Sequence, residues 1–453
     1  MLKAINPFNG EVISEHTALS SSDSAAQIQA ANKAFPAWRD CSFAERAKVL
    51  CAVAAQLRKD KDHLSELMAL EMGKPIKEGG PEVEKAAWCA EFYAEQAATF
   101  LQNEEIASDA SRSYVCYQPL GTVLGVLPWN APLWLAFRFL APTLMSGNTC
   151  VMKHDPNVPG CAQAIVDAFK KAGAPDNIMV NLPVANSGVE AAIRNPGIAA
   201  VSFTGSGKAG AIVASTAASE IKPAVLELGG SDPCVVLADA DLDRAADVAT
   251  LSRIINAGQS CIAAKRIIVE QSVYTEFVER LKTRLSALKL GNPLSSDTDV
   301  GPIARQDLQL NLHRQVEDTV KAGARCLLGG VLPTGHGYFY PVTLLVDVTQ
   351  DMCAFKEETF GPVMVVVKAK DADHALLLAN DTDYGLGAAI WTEDKVIAER
   401  FALQLQSGQV AVNGIVKTDP RLPSGGIKRS GFGRELGPHG IKEFVNAKQV
   451  WIQ

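Results

Sequence analysis

The feature that most constrains the fold is an alternation of short apolar segments with helical stretches between residues 121 and 430. Segments such as Thr149–Lys153, Ile198–Phe203 and Ala224–Glu227 have the length and apolar character of buried strands, and helical patterns separate them. Alternation at this spacing indicates right-handed β-α-β crossovers around a parallel sheet. Since a second alternation begins near Cys234, the sequence predicts two α/β lobes in one compact chain.

The composition is that of an ordinary globular protein. Of the 453 residues, 47% are hydrophobic and 21% are charged, and the formal net charge is −7. This balance leaves no basic excess to neutralise a nucleic-acid backbone or an anionic membrane surface. No apolar run approaches the ~20 residues that a membrane-spanning helix needs. We therefore expect a protein that binds neither nucleic acid nor membrane.

The ten cysteines are dispersed, with no two closer than ten residues, so the close spacings of zinc sites and redox motifs are missing. Seven scattered histidines without an H-E-x-x-H pattern give no indication of a metal site. The N-terminal residues reach Pro7 after a few positions, unlike the apolar core of a secretion signal. Together these features predict a reduced, metal-free protein of the cytoplasm.

A glycine-rich segment, Gly205–Gly210, follows a predicted strand and opens a predicted helix in the pattern G-x-G-x-x-G. Such a turn lets the backbone approach a pyrophosphate, whose charge the helix N-terminus stabilises. The same pattern occurs in turns that bind nothing, so by itself it leaves both interpretations open. Glu227 stands near the position of the ribose-binding acid of this motif, but a second motif gives it another role.

Three further segments carry candidate catalytic groups. Glu227 ends an apolar strand, so its carboxylate is either exposed there or faces the crevice where α/β proteins bind ligands. Cys261 follows Gly258, Gln and Ser in a loop-like stretch, which favours a nucleophile over a buried thiol. Asn130 follows a strand end and precedes Pro132, where it donates to an oxyanion or caps a helix.

In their order along the chain, six motifs resemble those of the aldehyde dehydrogenase superfamily. They are W-N-x-P at Trp129–Pro132, a strand-end lysine at Lys153, F-T-G-S at Phe203–Ser206, E-L-G-G at Glu227–Gly230, G-Q-x-C at Gly258–Cys261 and E-x-F-G-P at Glu358–Pro362. The resemblance extends over essentially the whole chain. It implies an α/β fold with a Rossmann-type NAD(P)-binding domain (1–100 and 120–227), an α/β catalytic domain carrying the cysteine (228–430) and a small β oligomerisation arm (101–119 and 443–453).

The resemblance also implies a reaction, the NAD(P)+-dependent oxidation of an aldehyde to an acid through a thiohemiacetal and a thioester on Cys261. In that reaction Asn130 holds the oxyanion, and Glu227 activates the water that hydrolyses the thioester. The cofactor contacts that the resemblance implies are Trp129, Lys153, Asp155, Pro156, Gly205, Ser206, Leu228, Glu358 and Phe360. The implied assembly is a homodimer or homotetramer.

One departure from the family pattern bears on the cofactor. NAD-preferring members commonly read K-P-S-E, whereas this chain reads K-H-D-P from Lys153 to Pro156. The glutamate that would repel a 2′-phosphate is missing, but Asp155 supplies an acid one residue earlier. We therefore expect NAD to be preferred and NADP to be tolerated.

Three stretches are similar to short bacterial succinate-semialdehyde dehydrogenases: W-x-x-x-R at Trp134–Arg138, G-Q-S-C-I-A-A-K-R, and D-P-R-L-P at Asp419–Pro423. This similarity implies that the substrate is succinate semialdehyde. Trp134 then walls the substrate tunnel, and Arg138, Ser260 and Arg421 bind the distal carboxylate. Alternatively, each arginine pairs with a nearby acid such as Asp419.

Other functions stay open at this stage. Glutarate semialdehyde or a sulfonated aldehyde is an alternative substrate, since one methylene is typically worth only ~1–3 kcal/mol of discrimination. A non-catalytic binding protein on this fold is a further alternative, against which the intact Cys261, Glu227 and Asn130 argue. A cysteine hydrolase would need a partnered histidine, and no histidine lies in a motif.

Overall fold

The computed structural model describes residues 2–453, so Met1, the first residue of the predicted cofactor domain, lies outside the described residues. The strands are β1 (Leu2–Ile5), β2 (Val12–His16), β3 (Glu104–Glu105), β4 (Arg112–Pro119), β5 (Thr122–Leu127), β6 (Thr149–His154), β7 (Met179–Asn181), β8 (Ile198–Thr204), β9 (Ala224–Glu227), β10 (Asp232–Val236), β11 (Ala264–Glu270), β12 (Arg325–Leu328), β13 (Thr343–Val346), β14 (Val363–Ala369), β15 (Gly387–Trp391), β16 (Gln409–Val412), β17 (Gly431–Phe432) and β18 (Val445–Ile452). The α-helices are α1 (Ser21–Asp40), α2 (Phe43–Lys59), α3 (Lys61–Met72), α4 (Ile76–Phe100), α5 (Pro132–Met145), α6 (Pro159–Lys171), α7 (Val189–Arg194), α8 (Gly207–Ser219), α9 (Leu242–Ile254), α10 (Tyr274–Ser286), α11 (Gln306–Lys321), α12 (Cys353–Lys356), α13 (Ala372–Asn380), α14 (Lys395–Gln404) and α15 (Gly437–Gly440).

The first lobe is built on a six-stranded sheet in the order β17-β9-β8-β5-β6-β7. The strands from β9 to β7 are parallel, and the two-residue β17 pairs antiparallel with β9. In chain order, β6 and β7 are added on one side of β5, and β8 and β9 are then added on its other side. The carboxyl ends of β5 and β8 flank this switch point, which is where doubly wound sheets bind ligands.

The second lobe is built on a seven-stranded sheet in the order β12-β13-β14-β11-β10-β15-β16, parallel except for β12. Along β11, Ile268 packs into the apolar cluster on one face, whereas Ile267 and Val269 pack into the cluster on the other. Both faces are therefore covered, which explains why these strands are apolar at nearly every position. The predicted α/β class with two parallel-sheet lobes is confirmed.

A separate three-stranded antiparallel sheet forms the arm, with β4 between β3 and β18. Its longest pairing joins Arg112–Pro119 to Val445–Ile452. Strand β17, at residues 431–432, extends the first-lobe sheet by pairing with β9. Within residues 2–453, no helix combines the length and apolarity needed to cross a bilayer.

Candidate active site

The candidate nucleophile, Cys261, lies half-buried in the loop that joins α9 to β11. The loop begins with a sharp bend, because Asn256 and Ala257 have φ angles of 55° and 53°. L-residues seldom adopt this left-handed conformation, and it costs conformational energy wherever it occurs. The backbone N–H of Asn256 donates to Glu78 at 2.8 Å, which ties the bend to helix α4. The structure thus holds the cysteine loop in a strained shape.

A buried arginine joins the cysteine loop to the segment that carries Glu358. The Arg253 guanidinium donates to the carbonyl oxygens of Gly258 at 2.7 Å and Gly361 at 2.5 Å. The two backbones approach so closely that a Cβ on Gly258 would lie 2.3 Å from the Gly361 oxygen. A glycine is therefore required at the start of the G-Q-S-C motif.

The ammonium group of Lys265 contacts the backbone of the nucleophile loop. Its Nζ donates to the carbonyl oxygens of Ser260 at 2.8 Å and Cys261 at 2.5 Å, and lies 3.2 Å from a Glu358 oxygen. Burial raises the pKa of the Cys261 thiol to about 11, against the opposing positive charges of Lys265 and Arg138. The thiol is therefore protonated at neutral pH and needs a base. The sequence analysis missed Lys265, although it stands within the quoted G-Q-S-C-I-A-A-K-R stretch.

The candidate base, Glu227, ends β9 and is buried. Burial raises the pKa of Glu227 to about 8, against the opposing charge of Arg138. One carboxylate oxygen lies 3.2 Å from the Arg138 guanidinium, and the other has no hydrogen-bond partner. A carboxylate with a pKa near neutrality and a free oxygen is suited to accept a proton. The alternative of an exposed glutamate at a strand end is wrong.

Arg138, which was predicted to bind the substrate carboxylate, lies among buried acids. Its guanidinium is only 3% exposed and is shared between Glu227 and Glu435, with Nε donating to Glu435 at 2.6 Å. A buried cation needs counter-ions, and this one already has two. The pairing alternative is therefore the one observed. Glu435 was missed because nothing local to its R-E-L-G segment indicates a contact with helix α5.

Arg421 also pairs with an acid. Its side chain is 65% exposed and lies 2.7 Å from Asp419, as the alternative stated, with its guanidinium 5.4 Å from the centre of the Trp88 ring. Arg138 is buried next to Glu227, the candidate general base, whereas Arg421 is at the surface. Each arginine is paired with a carboxylate. The binding of one substrate carboxylate by both arginines stays a prediction.

Gly229 and Gly230 of the E-L-G-G motif lie close to the segments that carry Glu358 and Cys261. A Cβ on Gly229 would lie 2.2 Å from a Glu358 oxygen, and one on Gly230 would lie 2.9 Å from the Cys261 carbonyl. The Gly230 N–H also donates to Glu358 at 3.1 Å. The strand end that carries Glu227 therefore lies beside both the nucleophile loop and the Glu358 segment.

The candidate oxyanion donor, Asn130, lies on the loop between β5 and α5. Its Nδ2 donates to the backbone carbonyl of Gln259 at 3.0 Å, while the backbone carbonyl of Asn130 accepts from the side-chain Nδ2 of Asn256 at 2.8 Å. Helix α5 is preceded by Ala131 and has no side-chain cap, so the capping alternative does not apply. One amide hydrogen of Asn130 stays available to a ligand.

The aromatic residues next to Asn130 are buried. The Trp129 ring packs edge-on against Phe360 with ring centres 5.9 Å apart. Trp134 lies on the first turn of α5, and Ser260 directly precedes the nucleophile. Trp134 therefore lies next to the Asn130 loop, and Ser260 lies in the loop of Cys261.

The residues predicted to hold a dinucleotide form a suitable cradle. Ser206 caps α8 by accepting the Ala209 N–H at 3.4 Å, and a Cβ on Gly207 would meet nothing within 4 Å, so the helix N-terminus is open. Gly210 lies against Leu228, whose Cδ2 would be 2.5 Å from an added Cβ. An open helix N-terminus stabilises phosphate charge.

Another residue predicted to contact the cofactor, Lys153, lies in strand β6. The Lys153 Nζ donates to Asn186 at 2.6 Å and, within residues 2–453, has no carboxylate within 4 Å. Burial lowers the pKa of Lys153, as expected for a cation without a counter-ion. The Asp155 carboxylate accepts the N–H of Asn157 at 2.9 Å, in the turn that contains Pro156. A buried cation without a carboxylate partner fits an anionic ligand such as a dinucleotide.

Comparison with known proteins agrees with these features. The sequence model of the aldehyde dehydrogenase family matches residues 1–450. A probable succinate-semialdehyde dehydrogenase [NADP(+)] of Synechocystis sp. is 46% identical over 451 residues, covering 100% of this chain and 99% of that protein. Succinate-semialdehyde dehydrogenase [NADP(+)] 1 of Mycobacterium tuberculosis is 44% identical over 454 residues, with the same coverage.

Two solved structures extend the agreement to three dimensions. Succinic semialdehyde dehydrogenase from Streptococcus pyogenes, in complex with NADP+, has a TM-score of 0.97 at 33% identity and covers 100% of both chains. Lactaldehyde dehydrogenase from Escherichia coli has a TM-score of 0.97 at 34% identity, covering 100% of this chain and 95% of that one. The family match and the full-length likenesses leave one conclusion: the chain belongs to the aldehyde dehydrogenase family.

Proposed function

We propose that this protein oxidises succinate semialdehyde to succinate with NADP+ as its cofactor. The observation that carries the proposal is that the strand end with Glu227 lies beside the loop of Cys261. A Cβ on Gly230, three residues beyond Glu227, would lie 2.9 Å from the Cys261 carbonyl, and one buried oxygen of Glu227 has no hydrogen-bond partner. This arrangement gives a cysteine nucleophile and a base within a family whose members oxidise aldehydes. The substrate and cofactor are supported by relatives of this name at 44–46% identity over their full lengths.

The reaction begins with the transfer of the Cys261 thiol proton to the Glu227 carboxylate. The thiolate sulfur then bonds to the aldehyde carbon, and the carbonyl electrons move to oxygen as the oxyanion forms. The free N–H of Asn130 and the backbone N–H of Cys261 donate to this oxyanion; removing one such donor typically costs ~3–4 kcal/mol of transition-state stabilisation.

Hydrolysis completes the cycle on the same residues. When bound, the dinucleotide supplies the oxidant by accepting a hydride from the substrate carbon, which leaves a thioester on Cys261. Glu227 first releases the thiol proton to solvent. It then takes a proton from water as the water oxygen attacks the thioester carbon, the sulfur leaves as thiolate, and Glu227 returns this proton to the sulfur. The free oxygen of Glu227 is the atom that accepts this proton. The acid product departs and the thiol is restored.

The proposal of NADP+ differs from the preference for NAD that the sequence suggested. The Asp155 carboxylate already accepts the Asn157 N–H, while the Lys153 cation lacks a carboxylate partner. An unpaired lysine favours an extra phosphate on the adenine ribose, and the relatives named above carry NADP(+) in their names. If Asp155 does not repel the 2′-phosphate, Asp155→Ala should change little the ratio of kcat/KM with NADP+ to kcat/KM with NAD+.

The test compares initial rates of reduced-cofactor formation with succinate semialdehyde, glutarate semialdehyde and pentanal, each with NADP+ and NAD+. We expect the highest kcat/KM for succinate semialdehyde with NADP+. Cys261→Ala should abolish turnover while binding of NADP+ is retained. A kcat/KM for pentanal equal to that for succinate semialdehyde would overturn the proposed substrate, and a higher kcat/KM with NAD+ would overturn the proposed cofactor.

We also propose that the arm pairs subunits into a homodimer or homotetramer of the cytoplasm. The proposal is supported by exposed apolar residues on the three-stranded sheet, including Ile106, Trp451 and Ile452. All ten cysteines are unpaired, which suits a reducing compartment. Removing residues 445–453 should lower the molar mass measured by light scattering, and an unchanged mass would contradict the assigned role of the arm.

A further inference from the structure

Two carboxylates of helix α4 reach the two loops of the candidate oxyanion site. Glu82 accepts the backbone N–H groups of Leu133 at 2.9 Å and Trp134 at 3.2 Å, in the first turn of α5. Glu78 accepts the backbone N–H of Asn256 at 2.8 Å, in the bend that begins the cysteine loop. Because residues four apart lie on the same face of a helix, α4 contacts both loops with one face.

Glu82 supplies the cap that helix α5 lacks. The residue before the helix, Ala131, has no side-chain acceptor, so the first N–H groups of α5 need a partner from elsewhere. A carboxylate at this end also interacts favourably with the helix dipole. Asn130 directly precedes Ala131, so the contact with Glu82 fixes the point where the loop of Asn130 ends.

Glu82 is itself held in place by a buried cation. The ammonium group of Lys74 forms an ion pair with the other oxygen of Glu82, and both side chains are only 6% exposed. Taking two charges out of water costs free energy that their attraction often only just recovers, so such a pair adds little stability by itself. It does fix the direction of the carboxylate. A Cβ on Gly79 would lie 2.7 Å from the Ser65 Cβ, so α4 is also packed closely on α3.

Asn256 connects the contact at Glu78 to Asn130. Its side-chain Nδ2 donates to the backbone carbonyls of Asn130 at 2.8 Å and Gln259 at 3.3 Å. Asn256 has a φ angle of 55°, and such a left-handed conformation persists only where surrounding contacts hold it. The hydrogen bond to Glu78 is one of these contacts. The two loops are thus joined to each other, and each is joined to α4.

We propose that Glu78 and Glu82 are positioning residues that set the distance between the two donors of the oxyanion site. These donors are the Asn130 amide and the Cys261 backbone N–H. Glu82 holds the first donor through the start of α5. Glu78 holds the second through Asn256. The inference rests on the part of the proposed function in which these two groups bind the oxyanion, but not on which aldehyde or cofactor is used.

The test compares variants that differ in whether the backbone N–H groups keep an acceptor. Glu78→Met removes the acceptor of the Asn256 N–H, and Glu78→Gln restores it with an amide oxygen. For Glu82 the comparison is made with Lys74→Met present, so that no buried ammonium group loses its counter-ion. There Glu82→Leu removes the acceptor and Glu82→Gln restores it. Glu84→Met is the matched control on the same helix, because the Glu84 side chain is 44% exposed.

Each full-length variant is assayed with the aldehyde and cofactor that the wild type uses best. For Glu78→Met, and for Glu82→Leu with Lys74→Met, we expect the single-turnover rate of reduced-cofactor formation to fall about 10- to 100-fold, the effect of a reacting group displaced by about 1 Å. The Kd of the cofactor should be unchanged. Both glutamine variants should restore most of the rate, and an equal fall in them would overturn the inference.

Alkylation of Cys261 by iodoacetamide separates positioning of the oxyanion site from general damage. In this reaction the sulfur bonds to carbon as iodide leaves, and no oxyanion forms. The alkylation rate should therefore be retained in Glu78→Met and in Glu82→Leu with Lys74→Met. A fall in alkylation as large as the fall in the single-turnover rate would overturn the inference.

A double-mutant cycle with Asn130→Ala separates the inference from the proposed function. Glu82→Leu should slow the single turnover much less when Asn130 is already alanine, and fully additive effects would overturn the inference alone. If Asn130→Ala slows the single turnover and neither carboxylate variant does, again only the inference is wrong. If Asn130→Ala has no effect, or the wild type oxidises no aldehyde, the proposed function is wrong in that part and the inference falls with it.

Discussion

Replacing Arg138 with methionine should shift the pH dependence of thioester hydrolysis to higher pH. In the folded protein, burial raises the pKa of Glu227 to about 8, with Arg138 opposing the rise and Glu435 adding to it. The hydrogen bond from Arg138 spans 3.2 Å between charged groups, and such a bond is worth about 1.5–3 kcal/mol. At 1.36 kcal/mol per pKa unit, its loss raises the pKa of Glu227 by about 1–2 units. At neutral pH the ionised fraction of the base should therefore fall about 10- to 100-fold.

Stopped-flow measurement of NADPH formation separates this effect from damage to the first half of the reaction. The burst of NADPH before thioester hydrolysis should be retained in Arg138→Met, while the steady rate rises only at higher pH. Glu435→Gln supplies a control of opposite sign, because it removes a neighbouring negative charge and leaves Arg138 to Glu227. Its profile should move to lower pH. Profiles of both variants that overlay the wild type would refute the assignment of Glu227 as the titrating base.

Three further substitutions test other parts of the site. Glu227→Gln should give one equivalent of NADPH per subunit and then stall, with a thioester visible by intact-mass measurement; full turnover would exclude Glu227 as the base. Gly229→Ala should displace Glu358 by placing a Cβ 2.2 Å from its oxygen and raise KM for NADP+, whereas Gly414→Ala, with its nearest neighbour 3.7 Å away, should not. Lys265→Met should lower the rate of thiolate alkylation about tenfold at fixed pH, by a rise of about one unit in the pKa of the nucleophile, and an unchanged rate would contradict that electrostatic role.

The accuracy of the sequence-based fold prediction depended on how completely each element is buried. The predicted strands Thr149–Lys153 and Ala224–Glu227 are observed as Thr149–His154 and Ala224–Glu227, because buried apolar runs mark them in the sequence. By contrast, β12 was missed, since Arg325–Leu328 is a four-residue edge strand that is exposed or only partly buried.

For the candidate site, what could be predicted depended on whether a residue lies in a short local motif. Cys261, Glu227 and Asn130 could be proposed from the sequence because each lies in a short motif with a recognisable local form. Glu435 was not, because its contact with Arg138 joins residues 297 positions apart. The local sequence around Arg138 therefore gives no sign that two carboxylates lie beside it. The sequence provides the charges, whereas only the fold shows which charges neutralise each other.

The pKa of the base also predicts how turnover responds to pH. Glu227 must lose a proton to act as a base, and its pKa is about 8. Raising the pH through this value therefore increases kcat through Glu227, whatever charge the aldehyde carries. Parallel pH profiles of kcat for an anionic and an uncharged aldehyde are thus expected, because both substrates depend on the same base, and a rise with only one of them would contradict that role of Glu227.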